Sequence, residues 1–165
     1  MTKILYVIFI LVVSSVELMG QNKDTIIYYS QAMNYLNGKS SIGKPDENFS
    51  KIRVAPQIVP FDVLGWFFQS DLSNTIPGYT PKSSFGDSDY ISNDNLEKFS
   101  NYKRESKCLV FFTSIRNNIL LAEILKEHNS SDYLTASMFG QGIVFLFEYS
   151  DGKLKKVTGK KVHHN

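Results

Sequence analysis

The sequence predicts an α+β domain, with N-terminal helices packed on a mainly antiparallel four-stranded sheet formed by the C-terminal third. Three observations carry this. Apolar residues recur at three- and four-residue steps in the first third, as on one face of a helix. The last third is rich in β-forming residues, in Cys108–Ile115 and Ile143–Tyr149. Asp151-Gly152 is a two-residue hairpin signal between such runs, because both positions of the favoured turn need positive φ. Helices segregated from an antiparallel sheet define the α+β class.

Residues 1–20 read as a leader that directs export. Lys3 supplies the positive end, Ile4 to Val13 are ten unbroken apolar residues, and Gly20 offers a small residue before Gln21. A membrane-spanning helix needs about 20 apolar residues, and Glu17 closely follows this shorter run. The expected compartment is periplasmic or extracellular. Residues 21–165 then form a single globular domain of 145 residues, long enough to stand on its own core. Cys108 is the one cysteine, so no internal disulfide can form although that compartment permits one.

The elements follow in order. Asp24–Asn37 is the first helix, with Ile26, Tyr29, Met33 and Leu36 along one stripe and Gly38 as its stop. All five prolines lie between Pro45 and Pro81, which makes the middle section irregular. Within it, Lys51–Val59 is extended, but Pro56 demotes it to an edge or a non-strand. Pro60–Asp71 is helical, with Phe61, Leu64 and Phe68 in line, and Asn74–Asn93 is a loop. Asn93 or Asp94 caps a short helix running to about Arg104.

Ile119–Glu127 is ambiguous. Its residues are good helix formers, yet Asn117-Asn118 makes a hairpin turn ahead of it. As a strand it places Ile115 opposite Leu120, Phe111 opposite Ile124 and Phe112 opposite Glu123. The Asp151-Gly152 turn likewise pairs Ser150 with Lys153, Tyr149 with Leu154 and Glu148 with Lys155.

This element order resembles the cystatin-like and NTF2-like cone folds, in which a long curved sheet wraps an N-terminal helix. The resemblance spans the domain but is one of architecture alone. Such folds host enzymes and binding modules alike, so it transfers no functional residue.

Glu123 stands out chemically. On a strand it shares an apolar face with Leu121 and Leu125, and a carboxylate there can serve as a general acid or base or bind a cation. Trp66 and Phe112 are the candidate binding residues, Trp66 lying in an aromatic run with Phe61, Phe67 and Phe68 that core packing also explains. Cys108 has no histidine in a recognisable motif with it, and His163-His164 reads as a polar tail. No metal spacing, phosphate loop or cofactor motif appears, so neither metal nor cofactor is expected.

Charge is distributed unevenly. Residues 21–151 carry a net −3, whereas residues 152–165 hold five lysines and no acid. That tail reads as the guarded edge of a sheet. Peripheral contact with an anionic membrane is the lesser reading, and nucleic acid is not an expected partner. Both faces of the predicted strands are apolar, so both need cover: the first helix covers one, and the Trp66 segment, or a second protomer or protein partner docked on a sheet face, covers the other. The expected function is therefore an exported, non-catalytic binding or interaction module, the alternative being a small pocket enzyme that uses Glu123.

Overall fold

The computed structural model describes residues 25–101, 108–126, 130–138 and 140–164. The expected leader, Asp24 at the start of the expected first helix, the run from Tyr102 to Arg104, and Glu127 and His128 lie outside the described residues.

The fold is α+β, but its sheet is larger than the sequence suggests. Helix α1 spans residues 25–36. Strand β1 (Ile52–Val59) precedes two short helices, α2 (Phe61–Gly65) and α3 (Gln69–Thr75), joined by a 3₁₀ turn at Trp66–Phe68. A two-residue strand β2 (Ile91–Ser92) follows, then β3 (Cys108–Thr113), β4 (Ile119–Lys126), helix α4 (Tyr133–Ser137), β5 (Gln141–Ser150) and β6 (Lys153–His163). These strands form one six-stranded sheet in the order β2-β1-β3-β4-β5-β6. The expected four antiparallel strands are its β3–β6 portion, and β1 joins them parallel to β3, so the sheet is mixed.

The extended segment forms as strand β1, and the sheet accommodates its proline. The β1–β3 register shifts between Val54 and Ile58, so Pro56 sits in a bulge and blocks no regular ladder bond. The carbonyl of Pro56 still accepts the Asn93 N–H at 2.7 Å. Along the rest of β1, Ser100 Oγ accepts from Val54 N and Asn101 N donates to the Ile52 carbonyl, which closes most of that edge.

Both hairpin turns form where the dipeptides place them. Asn117, Asn118, Asp151 and Gly152 all have positive φ, between 50° and 69°. Each register nevertheless slips by one residue a short way from its turn. Arg116 pairs with Ile119, but the ladder beyond pairs Phe112 with Ala122 and Phe111 with Glu123. The extra residue lies on the β3 side, where Thr113 Oγ1 accepts the Leu121 N–H at 3.1 Å in place of a ladder carbonyl. In the second hairpin Lys155 is the extra residue, so Glu148 pairs with Lys156 instead, in an ion pair of 2.8 Å.

Each sheet face is covered from within the chain. Tyr29, Ala32, Met33 and Leu36 of α1 pack on Val110, Phe112, Leu120, Ala122, Ile124 and Phe147. Ile26 of the expected stripe is instead exposed. The opposite face, with Leu109, Phe111, Leu121, Leu125, Val144 and Leu146, meets Phe61, Leu64, Phe68 and Leu72 of the α2–α3 segment and Tyr133 and Ala136 of α4. All six residues of β3 and seven of eight in β4 are buried, as central strands covered on two sides require. The lysine-rich β6 is the far edge, and three of its lysines are paired: Lys156 with Glu148, Lys160 with Asp71 and Lys161 with Glu47.

Candidate functional site: a closed carboxylate on the sheet

Glu123 lies in the middle of β4 on the face covered by α2, α3 and α4, between Leu121 and Leu125. Its exposure is 0%. A buried carboxylate is tolerated only with partners, and here both oxygens have one. Tyr133 Oη donates to Oε2 at 2.7 Å, and His164 Nε2 lies 2.6 Å from Oε1.

Three elements converge to make this arrangement. Asp132 caps α4, accepting from Thr135 N at 2.9 Å, and Gln57 Oε1 in β1 accepts the Tyr133 N–H at 2.7 Å. These bonds fix the start of α4 over the sheet. The Tyr133 ring is then packed edge-on to Phe111 at 5.2 Å and stacked on Tyr90 at 6.1 Å. Beyond β6, His164 N donates to the Gly140 carbonyl at 2.9 Å, which turns the imidazole back over the sheet and edge-on to Phe67. Gly142 of β5 leaves room for the carboxylate. A Cβ at that position would sit 2.3 Å from Glu123 Oε1.

The electrostatics follow from burial and proximity. The hydrogen bond to Glu123 raises the His164 pKa above its ordinary 6.5, against an opposing push from burial. Burial first, and then the Glu123 charge, drive the Tyr133 phenol far above its usual range, so it remains a donor at every physiological pH. Of the three side chains, the imidazole is the one with a route to water, at 17% exposure. A proton reaching Glu123 from solvent therefore meets His164 first. A carboxylate holding a histidine in one orientation is also how many general bases are positioned.

The other sequence candidates lie elsewhere. Phe112 does not face Glu123; the register slip puts it on the α1 face, fully buried and 5.1 Å from the Tyr29 ring. Phe111 is the residue opposite Glu123. Trp66 is 48% exposed at the start of the α2–α3 turn, with Nε1 donating to the Lys82 carbonyl at 3.2 Å, while Phe68 at the end of that turn is core. Cys108 is buried in the α1-side cluster, on the other side of the sheet from His164. His163-His164 is not a loose tail: His163 ends β6 and His164 completes the carboxylate site. Among the described residues no three His, Cys, Asp or Glu side chains gather as a metal site would require.

Sequence reading missed Tyr133, His164 and Gly142. The available signal was weak: alternation along β5 puts Gly142 and Val144 on one face, leaving a gap beside any acid opposite them. Among known proteins, no family model matches this chain, and no curated protein or solved structure is significantly similar to it.

Proposed function

We propose that the protein is exported through its first 20 residues and works outside the cytoplasm as a non-catalytic binding or interaction module. One observation carries the non-catalytic part. The only buried carboxylate among the described residues is closed by the chain's own Tyr133 and His164, with no exposed surface left to meet a substrate. Glu123 thereby serves as an anchor that ties α4 and the C-terminal end of β6 to the sheet. The described helices include none long and apolar enough to cross a membrane, which is compatible with a free exported domain.

A panel of chromogenic ester, phosphate and glycoside substrates tests this reading. No turnover that depends on Glu123 is expected. Hydrolysis abolished by Glu123→Gln would overturn it. Mass spectrometry of the exported protein tests the compartment, with a new N-terminus near Gln21 expected and a membrane-bound chain retaining Met1 as the contrary result.

The second reading, a small enzyme, has its own observation. His164 is partly open to water while Glu123 holds its ring, the arrangement of an oriented base. It requires activity that falls with His164→Asn as well as with Glu123→Gln. Self-association is tested separately by light scattering. Because α1 on one side and α2–α4 on the other already cover the sheet, a monomer is the expected result.

A further inference from the structure

The lysines of the C-terminal strand divide into two groups. Lys156, Lys160 and Lys161 are held in ion pairs with acids of the body. Among the described residues, Lys153 and Lys155 make no such pair, nor does Lys39 just beyond α1. These three lysines line one cleft of about 530 Å³, between the end of α1, the turn at Ser40–Gly43 and the first residues of β6. No acid lines it. We propose that this cleft binds a phosphate-bearing anion.

Four features support a site over an accidental gap. The volume lies in the range of small-ligand pockets. The wall is prebuilt, because Gln31 bridges α1 to the hairpin: its Nε2 donates to the Gly152 carbonyl and its Oε1 accepts from Leu154 N, each at 2.7 Å. Ser40 Oγ accepts from Ile42 N, which leaves its hydroxyl proton for an anion. The nearest acid in sequence, Asp151, is turned to the Ser150 hydroxyl at 3.1 Å.

One feature works against an anion here and is muted. A helix C-terminus presents carbonyls, which repel negative charge. At the end of α1 three of those carbonyls are already taken: Met33 O by Asn37 N, Tyr35 O by Gly38 N and Asn34 O by Lys39 N. Three unpaired ammonium groups around one concave surface then set the local potential. Lysine suits phosphate as a point charge without the planar fork that favours carboxylate. Two sources present this chemistry, a soluble phosphate ester and a phospholipid headgroup. The site is remote from Glu123 and stands or falls apart from the reading of that residue.

The test uses the isotopically labelled full chain, titrated with inorganic pyrophosphate and followed by NMR. At low salt, amide shifts are expected to concentrate in residues 39–42 and 153–155 and to diminish as salt rises from about 50 to about 500 mM. Replacing Lys39, Lys153 and Lys155 together with glutamine is expected to weaken binding by about tenfold or more, taking about two- to fivefold per exposed charge. Lys160→Gln, which removes a lysine already paired with Asp71, should bind as the parent does. In a second arm, sedimentation with vesicles containing phosphatidic acid but not with pure phosphatidylcholine, lost in the triple variant, assigns the headgroup. Pyrophosphate binding without sedimentation assigns a soluble ester. Shifts scattered over the whole surface, no response in either arm, or a triple variant that binds as the parent does would each overturn the proposal. The shift map on the unmodified chain decides even if the triple variant folds poorly.

Discussion

Replacing Gly142 with alanine tests the geometry of the carboxylate site at one atom. The new Cβ would lie 2.3 Å from Glu123 Oε1 and 3.0 Å from Leu125 Cδ2. Gly142 is paired with Leu125 on one side and Val162 on the other, so the strand has little room to withdraw. One response is for the carboxylate to retreat and lose His164, which costs about 1.5–3 kcal/mol for a hydrogen bond to a charged group. The other is for β5 to shift, at about 1–3 kcal/mol for overpacking. Alanine recovers about 0.4–1 kcal/mol by restricting the unfolded chain. The net loss is therefore about 1–2 kcal/mol, a fall in Tm of about 3–8 °C for a domain of this size. Urea and thermal denaturation would measure it, together with the Glu123→Ala variant and the double variant. Without the carboxylate the closest contact is gone and only the approach to the Leu125 methyl remains, so Gly142→Ala should cost much less in that background. A coupling of at least about 1 kcal/mol is expected. A Tm equal to the parent's, with strict additivity in the double variant, would show that the carboxylate does not lie over Gly142.

Three further outcomes follow from the same structure. His164→Ala leaves Glu123 with Tyr133 as its one side-chain partner among the described residues and should lower stability by about 2–4 kcal/mol, measured by urea denaturation near neutral pH. The loss should depend on pH with a fixed sign. The folded pKa of His164 is raised, so its contribution is complete below the unfolded value near 6.5 and fades as pH rises through the folded pKa; the gap between parent and variant should shrink in alkaline buffer, and a gap that widens there would refute the assignment. Gly152→Val forces a β-branched residue to a φ of 69° and should cost about 1–2 kcal/mol, whereas Gly152→Asn should be nearly neutral by the same melting assay.

Local signals in this chain were readable and long-range ones were not. The Asn117-Asn118 and Asp151-Gly152 turns follow from which residues accept positive φ, and both form. The registers failed a few residues later, because a bulge is decided by a single side chain such as Thr113, whose hydroxyl replaces a ladder carbonyl. That one-residue slip exchanged Phe112 for Phe111 opposite Glu123, since neighbouring residues on a strand face opposite ways. Pro56 argues for an edge or a non-strand at Lys51–Val59, whereas a bulge gives the proline a place in β1, between β2 and β3. Glu123 itself stood out as a lone acid on an apolar face. Its partners did not, because His164 is 41 residues away and reaches the site only through the pairing of β6 with β5.

The most direct measurement is an NMR pH titration of the His164 ring in the full chain and in Glu123→Gln. The central claim is that Glu123 is a closed anchor held by the chain's own imidazole, 2.6 Å away. It predicts a His164 midpoint above 6.5 in the parent. Glu123→Gln removes the charge that favours the imidazolium and leaves burial to oppose it, so the midpoint should fall to 6.5 or below. A parent midpoint at or below 6.5 that the substitution leaves unmoved would mean that His164 does not rest on Glu123, and the closed site would be contradicted.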